Sequence, residues 1–205
     1  MEINYDELYK NLKRYLLEKN PQETKDKTQT IKWFFYDEYS KDYQVLFSRE
    51  GNSEYMTDLM ITSFQPKDLF EKDKKFSIMP ESIKAHLAVE SELGGVSASW
   101  AGGLMKNVAE DFCKLLLIQS TYKVMVFSSL PYADEKNNKH IENRVKTLAK
   151  LYEMSAQPSS REEILLVHLF GIKETNKQVQ TSISNKDVAG FLIDVNGHYK
   201  QIDDE

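Results

Sequence analysis

One cysteine, Cys113, stands among 205 residues. A single thiol excludes an internal disulfide and any zinc site built from paired cysteines. Its apolar helical setting, between Phe112 and Leu115-Leu116-Leu117, is that of a buried, inert thiol, as expected in a reducing cytoplasm. No window approaches ~18 consecutive apolar residues, so no membrane span is expected. The opening Met1-Glu2-Ile3-Asn4-Tyr5-Asp6-Glu7 has neither the basic nor the apolar block of a secretory signal, and a cytoplasmic location is expected. Phosphate-cradling loops of the GxxxxGK(S/T) or GxGxxG kind are missing. His140 and His168 stand in no HxxxH or HExxH spacing, which argues against zinc. Ser128 and Ser129 lack the GxSxG elbow of a serine hydrolase. Positive charge is also short: 27 Lys and Arg against 32 Asp and Glu give a net −5, which denies the chain a global attraction to nucleic acid.

What is present is an ordinary globular composition, 40% apolar and 29% charged, with no internal repeat and no long linker. One domain over residues 1–205 is expected. Ile3, Leu8, Leu12, Tyr15 and Leu16 recur at helical spacing over 3–19, and Asn20-Pro21 ends that helix. A charged loop is expected to about Thr30, and residues 31–40 suit helix and strand equally. The core, about 43–171, opens on a hairpin, Tyr43–Ser48 and Tyr55–Phe64, joined through Arg49-Glu50-Gly51-Asn52-Ser53. A charged connection over 66–84 leads to a strand at 86–93. Next come a helix from about Leu104 to Ser120 with the stripe Leu104, Val108, Phe112, Leu115 and Gln119, then a strand at Tyr122–Ser128. A helix over 138–154 turns Ile141, Val145, Leu148 and Tyr152 inward, and a strand follows at Glu163–Gly171. A C-terminal hairpin, about 190–202, turns at Asn196-Gly197. Strand, helix, strand, helix, strand asks for right-handed crossovers and parallel pairing. The expected fold is therefore α/β, a mixed central sheet flanked by helices.

The stretch His86-Leu87-Ala88-Val89-Glu90-Ser91-Glu92-Leu93-Gly94-Gly95 carries the most chemistry. Alternation along a strand places His86, Ala88, Glu90 and Glu92 on one face and Leu87, Val89, Ser91 and Leu93 on the other. Two acids side by side repel unless a cation lies between them, which points to a divalent metal. The competing reading is an edge strand whose polar face meets water. Asp58 enters the preceding strand, and Lys114 lies on the following helix. Carboxylates that hold Mg²⁺, with a lysine beside the attacking water, are the parts of metal-assisted phosphodiester cleavage.

An acid entering one strand, followed by an acid pair on its neighbour, resembles the PD-(D/E)xK nuclease superfamily. With Glu92 where lysine is usual, Glu90-Ser91-Glu92 is similar to the Glu-x-Glu branch of type II restriction endonucleases. The similarity continues through Leu93-Gly94-Gly95-Val96-Ser97-Ala98 and Cys113-Lys114-Leu115-Leu116-Leu117. It implies a restriction-endonuclease-like mixed sheet between helices, dependence on Mg²⁺ (or Mn²⁺) and DNA as substrate. It also implies Asp58, Glu90 and Glu92 as metal ligands and catalytic acids, with Lys114 as a lysine displaced to the helix. Thr57 stands where the family has proline, and 32 positions separate Asp58 from Glu90.

Lys106 is a second candidate lysine, although Lys106, Glu110 and Lys114 also read as an exposed ladder along one helix face. Glu7, His86 and Trp100 are weaker candidates, each with an ordinary structural role available. Lys136, Lys139, Arg144, Lys146 and Lys150 face one acid, Glu142, between 136 and 150, a local +4. Of these, Lys136, Lys139, Arg144 and Lys146 are the candidate phosphate contacts. The expected function is a metal-dependent DNA endonuclease of restriction or other defence type, a homodimer if its site is palindromic. The alternatives are a non-catalytic binding or regulatory protein that keeps this fold, and a nuclease for RNA or for branched or single-stranded DNA.

Overall fold

The computed structural model describes residues 1–48, 56–64, 83–94, 100–135, 139–155, 162–170 and 183–203. The hairpin loop at 49–53, most of the 66–84 connection, the loop at 95–99, Lys136 and the 157–160 loop lie outside the described residues.

Helix α1, Tyr5–Lys19, begins where Asn4 Oδ1 accepts from the backbone N–H groups of Asp6 and Glu7 at 3.0 and 3.3 Å. Asp6 and Glu7 in its first turn and Lys19 in its last complement the helix dipole. It stops at Asn20, which takes a left-handed conformation at φ 46°. Asn4→Ala, which removes the cap, is expected to cost roughly 1 kcal/mol of stability. A downward shift in a denaturant-melt midpoint with an unchanged slope checks this.

Helix α2, Thr24–Tyr39, replaces the loop expected to Thr30 and resolves the ambiguity at 31–40. Its first two turns, Thr24-Lys25-Asp26-Lys27-Thr28-Gln29-Thr30, hold no apolar residue, so no hydrophobic period marks them. The buried positions are Lys27, Ile31, Lys32, Phe34 and Phe35, one stripe in which two members are lysines.

Among the described residues the strands form a seven-stranded sheet in sequential order, β1 to β7. β1 (Gln44–Phe47), β2 (Leu59–Thr62) and β3 (Ala85–Glu92) run as an antiparallel meander. β3, β4 (Ser120–Ser129) and β5 (Ile164–Phe170) are parallel, as expected, and are linked through α3 (Ala101–Leu117) and α4 (Lys139–Ser155). β6 (Val188–Ile193) and β7 (Tyr199–Gln201) return antiparallel around Gly197 at φ 75°.

α1 and α2 cover one face, packing on Leu87, Val89, Val124, Val126, Leu165 and Val167. α3 and α4 cover the other, packing on Ala88, Met125, Phe127, Ile164 and Leu166. Burial on both faces explains why β4 and β5 read as continuous apolar runs. It also removes the edge-strand reading of 86–93, since β3 is paired on both sides. α1 approaches β6 so closely that a Cβ on Gly190 would lie 2.6 Å from the Tyr9 ring.

Two smaller expectations fail. Cys113 is exposed, because it follows the buried Phe112 and so faces outward on α3. Gln119 lies past the end of α3 and is exposed, so the stripe stops at Leu115. Among the described residues no helix is long and apolar enough to cross a membrane.

Candidate functional site

β2 runs antiparallel to β3, so the start of β2 and the end of β3 lie at the same end of the sheet. Leu59 pairs with Val89, which sets Asp58 beside the Glu90–Ser91 segment. Asp58 Oδ2 accepts from the Ser91 amide at 2.8 Å and from Ser91 Oγ at 2.6 Å. Its Oδ1 faces Lys32 Nζ of α2 at 3.0 Å.

Glu90 is only 4% exposed. Burial, reinforced by the charges of Asp58 and Asp111, raises its pKa from 4.5 to about 8, against the opposing charge of Lys114 and a hydrogen bond from the Asp58 backbone. Burial also raises Glu92, while the Gly94 amide, donating at 2.8 Å, pulls it back. Gly94 makes that contact at φ 83°, where a side chain would be strained. On α3, Lys114 Nζ lies 2.5 Å from Asp111 Oδ1. That hydrogen bond is the main cause of Lys114's raised pKa, and the charges of Glu90 and Asp58 add to it.

The fold thus brings Asp58, Glu90, Glu92 and Lys114 into one electrostatic neighbourhood, and adds Asp111 and Lys32. Sequence reasoning missed both additions. Asp111 stands one turn before Lys114. Lys32 carried a signal: a lone lysine inside Ile31-Lys32-Trp33-Phe34-Phe35 can be buried only with a counter-ion. Among the described residues no group of three or more His, Cys, Asp or Glu is arranged to hold a metal ion. Asp58 is engaged by Lys32 and Ser91, and Glu92 is turned back onto Gly94.

The other candidates resolve into structural roles. Lys106 pairs with Glu110 at 3.5 Å on the exposed side of α3, as the ladder reading expects. His86 packs against the Tyr43 ring at 5.1 Å. Glu7 is an exposed acid in the first turn of α1. Trp100 is 65% exposed and its ring lies over Gly102 and Gly103, where a Cβ on Gly102 would come within 2.0 Å of it.

The basic helix is corrected more strongly. Arg144 is buried and forms a two-pronged pair with Glu135, at 2.9 and 2.6 Å, with the Tyr132 ring 4.4 Å from its guanidinium carbon. It is a structural cation and not a phosphate contact. Lys146 and Lys150 are exposed but paired with Glu142 and Glu153, both at 2.7 Å. Lys139 remains exposed at the start of α4.

A second polar group lies on the α3–α4 face of the sheet. Ser129 Oγ and His168 Nε2 are 2.8 Å apart, and His168 is fully buried beside Phe127, Phe170 and His140. Burial first, and His140 second, push its pKa down to about 3, so the ring is neutral. Its Nδ1 has no hydrogen-bond partner among the described residues.

Comparison with known proteins adds little. No protein-family model matches the chain, and no curated protein does. Among solved structures, the chain is similar to the central domain of yeast acetyl-CoA carboxylase at 10% identity and a TM-score of 0.35. That match covers 97% of this chain and 28% of the carboxylase chain. A likeness this weak carries no argument.

Proposed function

We propose that this protein is a metal-dependent endonuclease acting on DNA, with its centre at the end of β3, where Glu90 and Glu92 neighbour Asp58. The observation that supports this most is the charge balance around Glu90. A carboxyl group is buried at 4% exposure beside the charges of Asp58 and Asp111, and Lys114 only partly offsets that negative field. Burying like charges is costly, and groups perturbed in this way cluster at functional sites.

The donor set suits Mg²⁺ or Mn²⁺ in kind, since both take carboxylate oxygens. Asp58, Glu90 and Glu92 would hold the ion, with Asp58 and Glu92 turning from their present partners. The ion would supply Lewis acidity, making a water nucleophilic near neutral pH and offsetting charge on the scissile phosphate. Lys114, exposed on α3 with its pKa raised, would orient a phosphate or an attacking water. Glu90 enters the site protonated, so ionising it is part of loading the ion, and loading strengthens as pH rises through about 8.

The test is a substrate panel: duplex, single-stranded and branched DNA, and RNA, each with Mg²⁺, with Mn²⁺ and with chelator. Cleavage of duplex DNA that stops with chelator supports the proposal. Cleavage confined to RNA or to branched or single-stranded DNA moves the substrate while keeping the chemistry.

A second reading, a non-catalytic binding or regulatory protein, is favoured by one finding. The carboxylates are already satisfied by Lys32, Ser91 and Gly94 in an arrangement without a metal-holding group of three among the described residues. Calorimetry with no uptake of Mg²⁺ or Mn²⁺ supports that reading against the first.

A further inference from the structure

We propose that the corner between the ends of β4 and β5 and the start of α4 is a second binding site, which takes a small oxyanion, a carboxylate or a phosphate, on His168 Nδ1 and Arg144 Nε. It does not rest on the nuclease reading, and β4 separates His168 from the acids of β3. Among the described residues two buried side-chain atoms lack a hydrogen-bond partner, and they are these two. The topology brings them to one place. β4 and β5 are parallel, with Ser129 paired to Phe170, so their carboxyl ends lie side by side. α4 follows β4 and therefore starts at that end. The carboxyl ends of parallel strands are where open α/β sheets bind ligands, and a helix N-terminus favours an anion. His140, in the first turn of α4, has its ring 6.4 Å from that of His168, and Arg144 follows one turn later on the same side of the helix.

The partners already made orient both donors. Arg144 Nη1 and Nη2 grip the two oxygens of Glu135, and Nη2 also donates to Leu130 O at 3.2 Å. In a planar guanidinium the second hydrogen of Nη2 and the hydrogen of Nε point the same way. Nε therefore faces the end of β4, where Leu130 follows Ser129. Ser129 Oγ stands 2.8 Å from His168 Nε2, and burial keeps the ring neutral. With Nε2 accepting from the hydroxyl, the single ring proton is on Nδ1, a second donor without an acceptor. Two buried donors at one corner call for acceptor oxygens. Glu135 opposes a further negative charge, but Arg144 already neutralises it, while exposed Lys139 and the dipole of α4 favour one. Leu130 and Phe170 are half-buried and Tyr132 is 41% exposed, so the corner lies close to solvent.

The test is NMR of the histidine ring nitrogens in the full chain at neutral pH, titrated with sodium formate and separately with inorganic phosphate at constant ionic strength. His168 Nδ1 is expected to shift saturably with at least one of the two, and the tighter of them assigns the ligand as a carboxylate or a phosphate. His198, exposed and paired with Asp194, is expected not to follow. His168→Phe keeps a ring of similar size beside Phe127 and Phe170 and removes both nitrogens. With His140 as the reporter, it is expected to raise the anion's dissociation constant by about tenfold or more. Arg144→Lys, which keeps the charge and removes Nε, is expected to weaken binding in the same direction. His168→Leu substitutes if the phenylalanine variant does not fold. A His168 ring that answers neither anion, its Nδ1 satisfied by water alone, overturns the proposal. Binding that persists at full strength in His168→Phe or His168→Leu also overturns it, because the anion would then sit elsewhere.

Discussion

Glu90→Gln is expected to make the protein more stable at pH 7 without metal, by roughly 2 kcal/mol, while abolishing metal-dependent cleavage. The sign follows from the direction of the shift. Glu90 titrates at about 8 in the folded protein against 4.5 when unperturbed. A folded state with the higher carboxyl pKa holds its proton more tightly than the unfolded chain. That contribution is fully present below about pH 4.5 and is lost progressively as pH rises through about 8. Wild type therefore loses stability across that window, and a neutral amide of similar size does not. Chemical denaturation from pH 5 to 9 should show a steeper fall for wild type than for Glu90→Gln. Parallel curves would mean that Glu90 is solvated and ionised like an ordinary surface acid.

The second large effect lies away from the acid cluster. Glu135→Ala is expected to cost roughly 3 kcal/mol, because it strands the buried Arg144 guanidinium without its carboxylate. Arg144 still touches Leu130 O and the Tyr132 ring, but neither carries compensating charge. The double variant Arg144→Met/Glu135→Gln should be milder than Glu135→Ala alone, since it leaves no unpaired charge. The pair also sets an acid limit. Arg144 holds the Glu135 carboxyl at about 2, below its usual 4.5, so its stabilisation is present above pH 4.5 and is lost as pH falls through about 2. His168 works in the same direction: buried neutral, it opposes folding increasingly as pH drops below its usual 6.5. DNA binding, measured against salt, should keep its slope in Arg144→Met and lose slope in Lys139→Ala, because Lys139 is exposed and Arg144 is buried. An equal loss in Arg144→Met would contradict the structural role given to that residue.

Periodicity made much of the sheet legible. The stripe Ile141, Val145, Leu148 and Tyr152 is buried as its spacing requires, and the apolar runs at β4 and β5 are parallel and covered on both faces. Alternation along β3 placed Ala88 and Glu90 on the face opposite Leu87 and Val89, and the two core clusters divide in that way. The first half of α2 escaped notice because a helix anchored by lysines, with its apolar residues confined to its second half, shows no hydrophobic period. Arg144 was misread for a related reason. Charge counting along a sequence cannot tell a solvated cation from one buried against an acid nine residues earlier, and Glu135 lies outside the helix. Glu90 and Glu92 stood out because acids are rare at the end of an apolar strand. Lys32 and Asp111 come from two other helices, on opposite faces of the sheet, and only folding brings Lys32 to Asp58 and the charge of Asp111 to Glu90 and Glu92.

The central claim is that the acids at the end of β3 cut DNA with a divalent ion. Its most direct test is cleavage of plasmid and unmodified phage DNA in Mg²⁺ or Mn²⁺ by wild type beside Glu90→Gln. Since that substitution is expected to stabilise the fold, lost activity cannot be laid to unfolding. The expected result is metal-dependent cutting by wild type and none by Glu90→Gln. Cutting that survives the substitution, or wild type that leaves every DNA intact while binding no metal, contradicts it.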